Sequence, residues 1–251
     1  MRILYVKGQT ENLEIDTIFS GKQYTEQTDP ELVIVAGGDG SLLHAIQSYK
    51  HLGVPFFGVA SGTLNFLMNK LNQSEANELK IMSFEDFKLK YTFEKSQSFR
   101  VNINRRRTNG TDNIIFSSEV MNDIVLGGNI MDYNSFLIEN KIVKSMGLII
   151  STPLGSTAFN KNNNGDLIEN LNSQKVIFST IVANNNFSIK KDISEIPNIE
   201  IKSTRSVCSI YIDGTVKTFT LKLGDIVSIS KSENIVLSFK DKNDFKSKRY
   251  R

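Results

Sequence analysis

The sequence predicts an α/β N-terminal domain built on a parallel sheet, followed by a β-rich, β-sandwich-like C-terminal domain. Three observations carry this expectation. Short apolar runs alternate with helix-compatible runs through the first ninety or so residues, strand-like runs succeed one another from about Leu89 onward, and no Gly/Pro/Ser linker separates the two textures. Apolar strands alternating with helices indicate a parallel sheet covered on both faces. Short strands separated by polar turns indicate antiparallel pairing. The expected division is an α/β nucleotide- or phosphate-binding domain over 1–90, a β-rich domain over 91–239 and a basic tail over 240–251. Two domains without a flexible linker are expected to be tightly apposed, with an active site in the crevice between them.

In order, strands are expected over 3–6, 32–36 and 54–59, and helices over 41–49 and 74–82. The β-rich part is expected to hold strands over 87–93, 98–104, 113–126, 135–142, 148–152, 207–212 and 218–223, with a short helix or turn after Thr157. Arg105-Arg106-Arg107 precedes the turn signal Thr108-Asn109-Gly110 and is expected to cap a hairpin in solvent.

Composition narrows the function classes. A chain of 251 residues that is 39% hydrophobic can bury one large core or two modest ones. Its longest apolar runs fall far short of the roughly 20 residues of a membrane span, and the first residues read as a strand instead of a signal peptide; the expectation is a cytoplasmic protein with no membrane partner. A net charge of +3 suits anionic small molecules and lacks the basic stripe of a nucleic-acid binder. Cys208 is the only cysteine, so an intrachain disulfide or a cysteine-built zinc site is excluded, and a strand position makes it a buried, inert thiol. His44 and His51 alone build no metal centre, and no protein metal site is expected.

Four constellations carry chemistry. The first is Leu32-Val33-Ile34-Val35-Ala36-Gly37-Gly38-Asp39-Gly40-Ser41, an apolar strand running through glycines into a helix. Glycines let a backbone approach a phosphate, and a helix N-terminus offers amides to an anion. Asp39 sits at the carboxyl end of a parallel strand, where open α/β sheets bind ligands. A carboxylate there suits accepting a proton from a substrate hydroxyl or orienting Mg²⁺; the alternative is a tight turn with Asp39 as helix N-cap. The string fits neither G-x-G-x-x-G nor the P-loop, which needs Gly-Lys-Ser/Thr.

The second is Gly58-Val59-Ala60-Ser61-Gly62-Thr63-Leu64-Asn65-Phe66, another strand leaving into a small-residue turn. The third is Asn122-Asp123; adjacent strand residues face opposite ways, so both serve one ligand only at a bulge or strand end. The fourth is Ser151-Thr152-Pro153-Leu154-Gly155-Ser156-Thr157-Ala158-Phe159-Asn160, whose hydroxyls and amides suit ribose and phosphate oxygens and whose Phe159 offers a stacking face.

These pieces in this order resemble the NAD kinase family, whose GGDGT, GTLGF, Asn-Glu and STPTGSTAY read here as GGDGS, GTLNF, Asn122-Asp123 and STPLGSTAF. The resemblance spans about 32–239, including Ile212-Asp213-Gly214 and 223–229, and STPLGSTAF is its most discriminating part. It implies phosphoryl transfer from ATP, or polyphosphate, to the adenosine-ribose 2′-hydroxyl of NAD, with a divalent cation such as Mg²⁺. It implies Asp39 as the catalytic acid-base group, and Gly37, Gly38, Gly40 and Ser41 near the phosphates. Leu64 and Phe66 would pack near the adenine, Asn122 and Asp123 would bind NAD hydroxyls or adenine, and Thr157, Ala158 and Phe159 would line the dinucleotide site. A homodimer or homotetramer is implied too.

This chain departs from the family pattern at Met146, where a carboxylate is usual, at Phe159 in place of tyrosine, at Asn162-Asn163-Asn164, at Asn65 and at the shorter Asp123. GGDG and Gly62-Thr63-Leu64-Asn65-Phe66 also resemble the lipid kinases of the diacylglycerol and sphingosine type, and a non-catalytic nucleotide-binding module is the third reading.

Overall fold

The computed structural model describes residues 1–8, 13–19, 29–61, 65–107, 110–128, 132–183, 188–204, 207–214, 217–241, 243 and 245–247. Two compact units are formed, one by Met1–Lys95 with Ile235–Arg251 and one by Ser96–Asn234.

The first unit begins with β1 (Ile3–Lys7), α1 (Leu13–Phe19), β2 (Leu32–Gly37), α2 (Asp39–Tyr49), β3 (Phe56–Ala60), α3 (Gln73–Ile81) and α4 (Phe84–Lys90). β2 pairs in parallel with β1 and with β3, and all six of its residues are buried, which is why it reads as an unbroken apolar run. α2 covers the sheet with Leu42, Leu43, Ala45 and Ile46. α3 opens with a reciprocal cap, in which the Asn72 side chain accepts from the Glu75 N–H and the Glu75 carboxylate accepts from the Asn72 N–H.

α4 corrects the expected strand over 87–93. The alternation Phe87, Leu89, Tyr91, Phe93 has period two, but Ser83 caps a helix by accepting from the Asp86 N–H, and Phe84, Phe87 and Tyr91 then share a helical face. Phe87 is fully buried against Phe57 and Tyr91, whereas Leu89 is 88% exposed.

The second unit is β-rich. It contains most of β4 (Thr92–Arg106), then β5 (Asp112–Val120), β6 (Asp123–Gly127), β7 (Asn134–Ile138), β8 (Lys141–Ser151), a 3₁₀ turn at Gly155–Thr157, α5 (Phe159–Asn162), β9 (Lys175–Ala183), β10 (Ser188–Asp192), β11 (Ile199–Ser203), β12 (Cys208–Ile212), β13 (Lys217–Leu221) and the first part of β14 (Ile226–Phe239). The strands β9 to β11 have no counterpart among the expected ones. Antiparallel pairing runs β14-β11-β7-β8-β6-β12-β13, with β9 also on β8, β10 on β9, and β5 on β4. The core combines Phe99, Val101, Ile124, Leu126, Phe136, Leu148, Phe178 and Ile210 with Cys208, whose thiol burial pushes up to about 11.

The end of β14 belongs to the first unit, so the second unit closes earlier than 239. Leu237 pairs in parallel with Phe56, and Ser238 Oγ donates to the Phe56 carbonyl at 3.0 Å. Asn69 completes the attachment: its Nδ2 donates to Gly58 O and Ser238 O, and its Oδ1 accepts from the Lys240 N–H at 2.7 Å. Phe245 is buried and stacks on Phe239. Residues 240–247 that are described are therefore anchored on the first unit.

Arg105 also departs from expectation. Arg106 and Arg107 are exposed, but Arg105 forms a fork on Asp225, with Nε and one terminal nitrogen 2.6 and 2.7 Å from its two oxygens. Asp225 is fully buried and accepts the Lys222 N–H as well. Removing one partner leaves a buried charge uncompensated. Arg105→Ala is expected to destabilise the protein by about 3–5 kcal/mol, measured by urea unfolding; a loss below about 1 kcal/mol, the range of surface pairs, would mean that the pair is a solvated one.

Candidate functional site

In the first unit, β2 ends at Gly37 with φ +152°, and a Cβ there would lie 2.5 Å from Ser41 Oγ and 2.7 Å from Ser41 Cβ. Gly8, after β1, meets the same hydroxyl: its added Cβ would lie 2.5 Å from Ser41 Oγ and 2.6 Å from Ala36 O. Ser41 is thus held between two bare backbones. Gly40 differs, since a Cβ there would meet nothing within 4 Å. That open side adjoins the first turn of α2, whose amides intrahelical bonding leaves to an anion.

Asp39 is not the N-cap. Gly38 occupies that position without a side-chain cap, and Asp39 is the first helical residue. Its carboxylate is turned to the next loop, with Oδ2 accepting from the Phe66 N–H and Oδ1 from the Leu67 N–H, both at 2.9 Å. Both oxygens are oriented by backbone. A negative charge in the first turn is also favoured by the helix dipole. Phe66 is partly exposed beside it. Leu64 lies outside the described residues.

In the second unit, the long strand expected over 113–126 is broken at Met121-Asn122 into β5 and β6. The break solves the facing problem, because Asn122 lies on the bend and Asp123 opens the next strand. Both line one pocket of about 430 Å³ together with Val125, Ala158, Phe159, Tyr211 and Gly214. Thr157 is adjacent in sequence but outside that lining, its hydroxyl donating to Leu154 O.

The loop after β8 is wired to the bend. Thr152 Oγ1 donates to the carbonyls of Met121 (2.7 Å) and Asn122 (2.9 Å), and the Thr152 N–H donates to Asn122 O. Ser156 Oγ donates to Pro153 O and accepts from the Ile168 N–H. The buried Asn160 amide donates to Ser156 O and Asp166 O. These hydroxyls and amides build the loop itself, which leaves Ala158 and the half-exposed Phe159 ring at the pocket.

Asp123 is buried, and its carboxylate accepts the backbone N–H groups of Gly214 and Phe159. Burial pushes its carboxyl up to about 7, the neighbouring Asp213 charge adds to the rise, and the two amides oppose it. The folded value lies above the unfolded one of about 3.9, so the folded state holds an extra proton between them. The resulting stability is fully present below about pH 4 and is lost as pH rises through about 7. Compared with Asp123→Asn, the natural protein is expected to lose up to about 1.4 kcal/mol per pH unit across that window. Urea unfolding of both proteins at pH 5 and pH 7 measures the difference; parallel behaviour would mean that Asp123 is not the titrating group.

Tyr211, Val125 and Gly214 complete the pocket; none was a predicted site residue, although Gly214 lies in the Ile212-Asp213-Gly214 stretch of the resemblance. Their signal was periodicity: Cys208, Ile210 and Ile212 of β12 are buried, which sends Tyr211 to the other face. Among the described residues, no three His, Cys, Asp or Glu side chains converge into a metal cage.

Comparisons with known proteins give a consistent picture. Residues 10–83 match the family model of the ATP-NAD kinase N-terminal domain. The NAD kinase of Rickettsia bellii (strain OSU 85-389) is 27% identical over 172 residues, covering 66% of this chain and 62% of that protein. The NAD kinase of Rickettsia africae (strain ESF-5) is 30% identical over 151 residues, covering 58% and 54%. The fold matches yeast NADH kinase in complex with NADH with a TM-score of 0.76 over 99% of this chain and 86% of that one, at 18% identity. Over these segments the chain is similar to the NAD kinase family. An Archaeoglobus fulgidus NAD kinase in complex with ATP shares the fold with a TM-score of 0.67 over 98% and 96%, at 20% identity. The matched segments span less than two thirds of either Rickettsia relative.

Within the NAD kinase family pattern, the departures have local explanations. Asp123, one methylene shorter than the usual glutamate, keeps its carboxyl against the amides of Gly214 and Phe159. Asn163 donates to Thr180 O at 2.8 Å, and Asn164 takes φ +57°, which asparagine tolerates better than most residues. Asn65 places its Oδ1 3.5 Å from where a Gly38 Cβ would be. Met146 contributes its carbonyl to the Asn134 amide, and nothing in the structure explains its side chain.

Proposed function

We propose that this chain is an ATP-dependent NAD kinase, transferring the γ-phosphoryl group of ATP, or a phosphoryl group of polyphosphate, to the adenosine-ribose 2′-hydroxyl of NAD. The observation that carries the acceptor assignment is the single pocket lined by Asn122, Asp123, Ala158 and Phe159, because the glycine-rich turn alone is shared with lipid kinases. A pocket of about 430 Å³ with two aromatic residues, Phe159 and Tyr211, and the polar groups of Asn122 and Asp123 suits part of a nucleotide.

In this reading, Asp39 accepts the proton of the 2′-hydroxyl as its oxygen attacks the γ-phosphorus, and the bond to the β-phosphate oxygen breaks to release ADP. Fixing both oxygens of Asp39 on the Phe66 and Leu67 amides supplies the orientation that proton transfer needs. Gly37, Gly38, Gly40 and Ser41 bring the first turn of α2 to the donor phosphates, while Phe66, with Leu64, packs near the adenine. Asn122 and Asp123 hold NAD hydroxyls or adenine, and Phe159, with Thr157 and Ala158, borders the dinucleotide. Mg²⁺ carried on the nucleotide phosphates would neutralise their charge, with the Asp39 carboxylate as the donor toward it. A cytoplasmic homodimer or homotetramer completes the reading; no described helix is long and apolar enough to cross a membrane.

Incubation with ATP, Mg²⁺ and NAD is expected to yield NADP, detected by an NADP-specific dehydrogenase. Phosphorylation of diacylglycerol with no NADP formed would overturn the proposal in favour of a lipid kinase. NAD binding by calorimetry with neither product would make the protein a binding module.

A further inference from the structure

The turn after β12 contains a carboxylate with more bonds to the acceptor pocket than any role in the proposed chemistry requires. Asp213 is 4% exposed and takes φ +50°, followed by Gly214 at φ +74°. One of its oxygens accepts from the Asn122 N–H at 2.6 Å, and both accept from the Met121 N–H at 3.1 Å. Its own N–H donates to Asp123 O at 2.9 Å. The next residue, Gly214, donates to the Asp123 carboxylate and forms part of the pocket wall.

We infer that Asp213 is a positioning residue for the acceptor pocket, fixing Asn122 and Asp123 toward the bound nucleotide without itself forming the pocket lining. This rests on the reading of that pocket as the NAD site. Two loose backbone amides at a strand break have no partner in either sheet ladder, and a carboxylate that takes both sets the direction of the bend. Asn122 then projects from a fixed backbone. Asp123 is held at the same time by the carbonyl bond and by the Gly214 amide, so one turn controls both polar groups of the pocket.

The same contact makes the pocket electrostatically coupled. The groups facing the Asp123 carboxyl are the Asp213 carboxylate, the amides of Gly214 and Phe159 and the Asn122 side-chain amide at 3.5 Å, and Tyr211 lines the same pocket. No basic side chain is among the described lining residues. Asp213 is the one charged neighbour in this set, and its like charge favours a protonated Asp123. Asp123 so held can donate a hydrogen bond to an acceptor on the nucleotide, and loses that ability as it ionises.

Asp213→Asn tests the inference in two ways. In the ligand-free protein, the ¹³C-carboxyl titration of Asp123 is expected to move to lower pH by about one unit or more, because the like charge is gone. In NAD turnover, KM for NAD is expected to rise about tenfold or more, reflecting loss of charged hydrogen bonds, while kcat falls by less, and the pH profile of kcat/KM shifts in the same direction as the carboxyl titration. Should Asp213→Asn fail to fold by circular dichroism, Asp213→Glu keeps the charge and displaces it by one methylene; KM is then expected to rise with the Asp123 midpoint near its natural value. An unchanged midpoint together with an unchanged KM in the folded Asn variant, or an unchanged KM in the Glu variant, would overturn the inference. If the natural protein makes no NADP, the functional reading fails, and the ligand-free titration still decides whether Asp213 governs Asp123.

Discussion

Asp39→Asn is expected to lower turnover by about 10²–10⁴-fold, the range a positioned general base supplies. The amide cannot take the proton of the attacking hydroxyl. The substitution also has a structural cost, since Asp39 accepts from two backbone amides of the 66–67 loop. An asparagine offers one oxygen, so one of those N–H groups must face an NH₂. Loss of one bond to a charged acceptor costs about 1.5–3 kcal/mol, and the variant should unfold at lower urea while keeping the native circular dichroism spectrum. The two effects separate by measuring kcat at saturating NAD and ATP well below the unfolding transition. Turnover within threefold of the natural protein under those conditions would remove Asp39 from proton transfer and leave it as a loop anchor.

The double role proposed for Asp39 was only half legible in the sequence. Position and residue type marked it as a carboxylate at the end of a parallel strand, and β2 with its flanking glycines could be read almost residue for residue. The partner amides of Phe66 and Leu67 lie 27 and 28 residues away, and local pattern does not encode that distance. The alternation of short apolar strands with helices was enough for the α/β unit, because burial on both faces forces a composition that polar strands cannot imitate.

The sequence was least informative where long-range polar contacts override local pattern. Arg105 sits in a run of three arginines that reads as solvated, yet a buried Asp225 120 residues away claims it. Asp213 resembles an ordinary turn residue before glycine, which it also is by φ; its function as an anchor appears only when the Met121 and Asn122 amides arrive from 92 and 91 residues away. At α4, two periodicities fit the same residues, and the Ser83 cap decides between them. In the STPLGSTAF loop, most hydroxyls that suit ligand recognition by type are used to build the loop, and the pocket wall is left to Ala158 and Phe159. Residue chemistry located the loop, and its hydrogen bonds distinguish its structural members from its exposed ones.

Gly155→Ala is expected to be the most damaging small substitution in that loop. An added Cβ would overlap the carbonyl oxygen and carbon of Asn122 and lie 3.0 Å from its Cα, so every obstructing atom is backbone. Relief by a rotamer change is excluded. The Asn122 backbone cannot retreat without breaking its N–H bond to Asp213 or its carbonyl bonds from Thr152, and the loop cannot lift without losing the same Thr152 bonds and the Gly155 N–H to Thr152 Oγ1. Overpacking costs about 1–3 kcal/mol and each buried bond broken adds about 1, so a destabilisation above about 3 kcal/mol is expected by urea unfolding. NAD affinity should fall with it, because Asn122 and Ala158 lie on either side of the clash. Gly40→Ala is the matched control: its Cβ meets nothing within 4 Å, it lies inside α2, and alanine there should stabilise by up to about 1 kcal/mol. If both variants unfold within about 0.5 kcal/mol of the natural protein, the range of ordinary surface substitutions, the close approach of Gly155 to Asn122 does not hold the loop, and the bend at Asn122 is fixed by its bonds to Asp213 and Thr152.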